Sequence, residues 1–213
     1  MEAFPADSIT NVLAISGSLR AHSSNTEVLR ACALLAPANI SVRIFDGLAS
    51  LPHFNPDLDG EGAIAPEPVE HLRAEIRSAD ALLISSPEYA HGVPGSLKNA
   101  LDWLVSTPEM VFKPIGVLNT SPRSVHAYAS LVETLRTMST EIIRDASPLV
   151  SLTRSMVDAK AIAANPEIAE RLVSVLAALS LAGARYRERV AELAPANLSP
   201  NPSGSSTVKS RSP

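Results

Sequence analysis

The stretch Val12-Leu13-Ala14-Ile15-Ser16-Gly17-Ser18-Leu19-Arg20-Ala21-His22-Ser23-Ser24-Asn25 decides how the chain is read. Four apolar residues in a row suit a strand. The hydroxyl-rich turn after them leads into Asn25–Leu35, where apolar residues fall at helical spacing. Strand, turn and helix in that order open a βαβ unit. Ser16, Ser18, Ser23 and Ser24 offer hydroxyls, and Arg20 offers a positive charge. The first helical turn adds free backbone N–H groups and a favourable dipole. Asn25 can cap that helix or give its amide to an anion. The turn has a single glycine, so it holds neither G-x-G-x-x-G nor a Walker lysine. Such a ring of donors suits the terminal oxygens of a phosphomonoester. A pyrophosphate needs a closer backbone approach and more glycines. Capping alone explains one of these residues, but not the cluster.

Working outward, strands and helices keep alternating. Strands are expected at Asn11–Ser16, Ile40–Phe45, Ala81–Ser85 and Ile115–Leu118, with a last one drawn from Glu141–Ile143 and Pro148–Ser151. Helices are expected at Pro68–Ala79, Pro94–Ser106, Val125–Ser139 and Pro166–Leu193, the last with an interruption at Gly183. Strands that alternate with helices imply a parallel sheet with right-handed crossovers. The reading is an α/β, three-layer, flavodoxin-like fold, with five parallel strands in the order 2-1-3-4-5 and helices on both faces. Ligands of such sheets bind beyond the carboxyl ends of the strands, near the switch in strand order. That selects the loops Ser16–Asn25, Ser85–Gly95 and Asn119–Val125. Asp46, at the end of the second strand, reads as a turn residue because no dinucleotide fingerprint precedes it.

The chain has 213 residues, 46% of them hydrophobic, which suits one core. That core is assigned to a single domain over residues 1–194. Residues 195–213, PANLSPNPSGSSTVKSRSP, are too polar to offset their ordering entropy and read as a disordered tail. A net charge of −4 and 4% aromatics argue against nucleic acid or an anionic membrane as partner. Cys32 is the one cysteine, set in an apolar helical pattern, and reads as a buried structural thiol. The start, MEAFPADSIT, lacks the basic and apolar regions of a signal peptide. No apolar run approaches the ~20 residues that span a bilayer. A soluble, cytoplasmic protein is expected.

The second loop sharpens the reading. It runs Pro87-Glu88-Tyr89-Ala90-His91-Gly92-Val93-Pro94-Gly95-Ser96-Leu97-Lys98-Asn99-Ala100-Leu101-Asp102-Trp103. Together with the first loop, it resembles the NADPH-dependent FMN reductase family, flavodoxin-like proteins that include chromate, quinone and azo-dye reductases. The resemblance implies an enzyme that passes hydride from NADPH or NADH to bound FMN and then electrons to a quinone, azo, metal-ion or flavin acceptor. It implies an FMN phosphate at Ser16, Ser18, Arg20, Ser24 and Asn25. It implies a flavin ring along Pro87, Glu88, Tyr89, Ala90, His91 and Gly92, and a homodimer or homotetramer whose subunits meet near the flavin. No side-chain acid or base is nominated, because the cofactor carries the chemistry.

The residues are consistent with this. Pro87 and Tyr89 can form an apolar wall. A Glu88 carboxylate facing a ring that gains negative charge would be unfavourable, so its side chain is expected to pair elsewhere, with an arginine as one partner. Lys98 and Asn99 read as structural, and Trp103 as core or subunit contact. Two departures stand out. Relatives often carry asparagine after the tyrosine, where this chain has Ala90 and His91. The third loop, Asn119-Thr120-Ser121-Pro122-Arg123-Ser124, lacks the glycines usual there. Either Ser121 and Ser124 replace those contacts, or Arg123 sets a cation beside the ring, or Arg123 faces solvent or another subunit. The segment Asp57-Leu58-Asp59-Gly60 lacks the rest of a calcium loop, and the five histidines show no ligand spacing, so no metal is expected. The rival readings are a flavodoxin-like electron carrier and an FMN-binding regulatory module.

Overall fold

The protein is seen in a computed structural model that describes residues 9–60, 62–153, 156 and 158–193. The proposed tail at 195–213 lies outside the described residues. Five parallel strands form one sheet in the order β2-β1-β3-β4-β5, as expected: β1 (Thr10–Ser16), β2 (Ile40–Phe45), β3 (Ala81–Ser85), β4 (Pro114–Leu118) and β5 (Glu141–Ile142). Among the described residues, six α-helices accompany them: α1 (Ser24–Leu35), α2 (Glu67–Ser78), α3 (Gly95–Leu104), α4 (Val125–Thr137), α5 (Ala159–Ala163) and α6 (Pro166–Leu193).

Strand alternation builds the two cores. Leu13 and Ile15 of β1, Leu82 and Ile84 of β3, and Ile115 and Val117 of β4 pack against α2, α3 and α4. Val12 and Ala14, Ala81 and Leu83, and Leu118 face the other way, toward α1, α5 and α6. Burial on both faces explains why β1, β3 and β4 read as continuous apolar runs. The edge strand β2 alternates instead, with Ser41 and Arg43 exposed.

Two expectations change, and one short helix is added. The last strand is only two residues long, and 148–151 contributes a single bridge, Asn119 to Leu149. The short helix α5 had no clear signal; Asp158 starts it by accepting from the Ala161 N–H at 2.8 Å. Gly183 does not interrupt α6. A Cβ there would lie 3.1 Å from Asp80 Cβ and 3.3 Å from Thr10 Cγ2, so the glycine lets the long helix lie close against the starts of β1 and β3.

Cys32 is fully buried, and burial pushes its thiol up to about 12, which suits the expected structural role. Among the described residues, no helix is long and apolar enough to cross a membrane.

Candidate functional site

Parallel strands bring the carboxyl ends of β1, β3 and β4 side by side, so the three loops selected from sequence meet at one edge of the sheet. Asn25, in the first turn of α1, ties them together. Its Oδ1 accepts from Ser85 Oγ at the end of β3 (2.9 Å) and from Thr120 Oγ1 of the third loop (3.1 Å). Asn25 is buried, and its Nδ2 donates to no protein atom among the described residues.

The first loop organises itself through its hydroxyls. Ser16 Oγ pairs with Thr26 Oγ1 at 2.8 Å and accepts from the Ser18 N–H; Ser18 Oγ accepts from the Arg20 N–H. Ser16, Ser18 and Ser23 are buried, while Arg20 and Ser24 are exposed. Ser23 occupies the cap position of α1, yet its side chain makes no capping hydrogen bond. The free end of α1 is therefore not closed by its own cap. Gly17 suits a close approach, because a Cβ there would sit 2.6 Å from Ser86 Oγ in the neighbouring loop. The one acidic group in the first turn, Glu27, is turned away: it pairs with Arg30 at 2.5 Å and accepts from the Ala159 N–H at 3.0 Å. The loop thus presents hydroxyls, amides and a cation without a competing carboxylate.

In the second loop, Tyr89 and Gly92 exchange both backbone hydrogen bonds around a tight turn. Ala90 (φ 49°) and His91 (φ 61°) both take positive φ, the geometry of a type I′ turn. Asparagine tolerates that region far better than alanine, so the absence of asparagine stores strain here. Glu88 does not meet an arginine. Its Oε2 accepts from the His126 and Ala127 N–H groups, both at 2.9 Å, at the start of α4. The helix end holds the carboxylate by hydrogen bonding and by its dipole, which corrects the expected arginine partner. Pro87 is half-buried and Tyr89 is 49% exposed.

The third loop closes on itself without glycine. Asn119 Oδ1 accepts from the Ser121 N–H (3.0 Å), Ser121 Oγ accepts from the Arg123 N–H (3.3 Å), and the Ser124 N–H donates to Ser121 O (3.0 Å). An asparagine-led turn does here what glycines do elsewhere. Arg123 is exposed. His126, which sequence reading did not select, stacks on His91 with ring centroids 4.4 Å apart and planes 8° from parallel. The two histidines stand 35 positions apart in sequence, so no local spacing could reveal the pair.

The residues after the second loop are structural, as expected. Asn99 Nδ2 and Trp103 Nε1 both donate to Pro52 O at 2.9 Å, and Asn99 Oδ1 accepts from the Phe54 N–H. Lys98 pairs with Asp102 one turn on. Asp59, the best metal candidate, pairs with Arg73 and accepts from Ser106 Oγ at 2.7 Å; these hydrogen bonds hold its carboxyl below the usual range despite burial. Among the described residues, no acidic, histidine or cysteine cluster could hold a metal.

Residues 10–152 match the family model described as NADPH-dependent FMN reductase. The chain is 34% identical over 181 residues to an NAD(P)H-dependent FMN reductase of Pseudomonas aeruginosa, covering 83% of this chain and 96% of that protein. It is 38% identical over 112 residues to a quinone reductase of Escherichia coli K12, covering 52% of this chain and 59% of that protein. Among solved structures it is similar to FerB, a flavoenzyme NAD(P)H:(acceptor) oxidoreductase from Paracoccus denitrificans. That match has a TM-score of 0.71 and 27% identity, and covers 85% of this chain and 98% of that one.

Proposed function

Because this chain belongs to the NADPH-dependent FMN reductase family, we propose that it holds FMN across its three loops, takes hydride from NADPH or NADH, and delivers electrons to a small acceptor of the quinone class. The observation that carries this reading is Asn25. With its Oδ1 engaged by Ser85 and Thr120, its Nδ2 is left to face an anion at the open end of α1, beside the buried Ser16 and Ser18. A phosphomonoester fits that donor set in charge and in number of acceptor oxygens. The isoalloxazine ring would lie along Pro87–Gly92, where Pro87 and Tyr89 form the wall and Ala90 and His91 fix the turn. Glu88 would meet the ring through its backbone, because its carboxylate is already held by α4. Ser121 and Arg123 would border the ring's polar edge from the third loop.

When bound, FMN supplies the hydride-accepting centre. The chain's part is to bind, orient and leave one ring face open. One open face serves both reactants in turn, so double-reciprocal plots should give the parallel lines of ping-pong kinetics. Leu19, Tyr89 and Val125 are exposed apolar residues of the three loops, which supports assembly as a homodimer or homotetramer over this edge.

Anaerobic stopped-flow tests the reading. Mixing FMN-loaded protein with NADPH, and separately NADH, should bleach the yellow absorbance within seconds for at least one nucleotide, and a quinone should restore it. If dithionite reduces the flavin while neither nucleotide does, the protein is an electron carrier instead. A purified protein that takes up no flavin would point to neither.

A separate prediction concerns Arg20. Removal of a charged donor from the phosphate loop, as in Arg20→Ala, should weaken FMN binding by about 1.5–3 kcal/mol. Riboflavin, which lacks the phosphate, should bind equally well before and after. An unchanged FMN titration would remove Arg20 from the site.

A further inference from the structure

The His91–His126 pair joins the second loop to the first turn of α4 through side chains. His91 sits in the strained turn, whose other ties among the described residues are the two backbone bonds between Tyr89 and Gly92. His126 sits in the first turn of α4, where its own backbone N–H is held by Glu88. The backbone beneath the stack is thus fixed on the α4 side and bent on the other. Both rings are exposed, so no core packing holds them together. Their near-parallel contact, with ring centroids 4.4 Å apart, sets the tip of the turn against the start of α4. Glu88 anchors the base of the same turn.

We propose that the His91–His126 stack is a positioning clamp for the ring end of the flavin site: it fixes the distance between the turn Tyr89–Gly92 and the start of α4, and with it the affinity for the isoalloxazine ring. The proposal rests on the FMN reading above. It separates two halves of the site. Ser16, Ser18, Arg20 and Asn25 act on the phosphate, whereas the clamp acts on the ring through the loops that border it. A stacked aromatic pair is worth a few-fold to tenfold in an equilibrium constant. Removal of either ring should cost that much, and removal of both should cost no more, because the contact is lost with the first.

The test uses apoprotein of the full chain and the variants His91→Ala, His126→Ala, the double variant and His91→Phe. Each is titrated with FMN and with riboflavin, followed by flavin fluorescence. His91→Ala and His126→Ala should weaken both ligands by the same factor, about three- to tenfold. The double variant should match the singles, and His91→Phe, which keeps an aromatic ring, should recover most of the loss. Glu88 bonds the backbone of residue 126, so His126→Ala leaves that anchor in place. Hydrogen–deuterium exchange of the apoprotein gives a readout without flavin: amides 89–93 and 125–128 should exchange faster in both single variants. Unchanged exchange, additive losses, or a loss confined to FMN would each overturn the clamp. A wild-type chain that bound neither flavin would instead sink the functional reading, and exchange alone would then decide the clamp.

Discussion

Trp103→Ala should cost about 3–5 kcal/mol of stability, against the 5–15 kcal/mol of a typical domain. Trp103 is fully buried in the core on the α2–α4 face. Three further links depend on it or run beside it. Its Nε1 donates to Pro52 O, Phe54 packs edge-on against its ring at 5.0 Å, and its carbonyl accepts from Arg73 at 2.8 Å. The carbonyl bond survives truncation; the other two do not. The cavity term and the lost indole bond therefore add, while Asn99 still holds Pro52. Trp103→Phe should lose less, because most of the volume remains. Urea unfolding at fixed pH measures both, through a lower midpoint at constant slope. A loss below about 1 kcal/mol for Trp103→Ala would mean the site collapses around the gap, contrary to the packing seen. Because α3 carries the second loop on its N-terminal side, the proposed ring end of the site should loosen before the proposed phosphate end does.

Elements buried on both faces were legible because their sequence pattern records their surroundings. Val12–Ile15 and Ala81–Ile84 read as strands from their apolar runs, and Pro94 and Pro166 each lie at a helix start. Ser16, Ser18 and Asn25 could be nominated because their neighbourhood is local: strand end, turn and helix start lie within ten residues. What escaped were pairings between distant residues. The Glu88 side chain does pair elsewhere, but its partner is a helix end 38 residues away, and backbone N–H groups leave no mark in a sequence. The glycine-free third loop could not be resolved in advance, because Asn119 gives the same turn through a side-chain bond that glycine gives through backbone freedom. Gly183 carried the opposite ambiguity. A glycine within a helix reads as a break, yet here it marks a close approach to β1 and β3. The short α5 depends on Glu27, a residue of α1, for one of its first N–H groups.

Lys113 shows the same limit with a larger consequence. The sequence Val111-Phe112-Lys113-Pro114-Ile115 gives no hint that this lysine is fully buried. Its Nζ donates to Ile76 O (3.1 Å) and Ala79 O (2.6 Å), and lies 4.2 Å from the centre of the Tyr186 ring. It therefore helps close the end of α2, where Ile76 O also accepts from the Ala79 N–H at 3.3 Å. Burial lowers its pKa from 10.5 to about 8, against the opposing pull of Asp80 and Glu109. Between those two values the unfolded chain holds a proton that the folded chain has released, so stability should rise with pH across that window. The full gain is about 3 kcal/mol, and it is flat below the window. Burial also raises the Tyr186 phenol; the folded state then keeps a proton the unfolded state loses, so stability should fall again above pH 10. Lys113→Met should remove the rise. Near pH 7 the variant loses two hydrogen bonds but no longer buries a charge, and these effects nearly cancel. Near pH 9.5 the wild-type amine is neutral and still donates, so the variant should be less stable there by about 2–3 kcal/mol. Thermal unfolding of both proteins from pH 7 to 10 measures the difference. Parallel curves would show that Lys113 keeps an ordinary proton affinity in the fold, and its desolvation would then carry no cost.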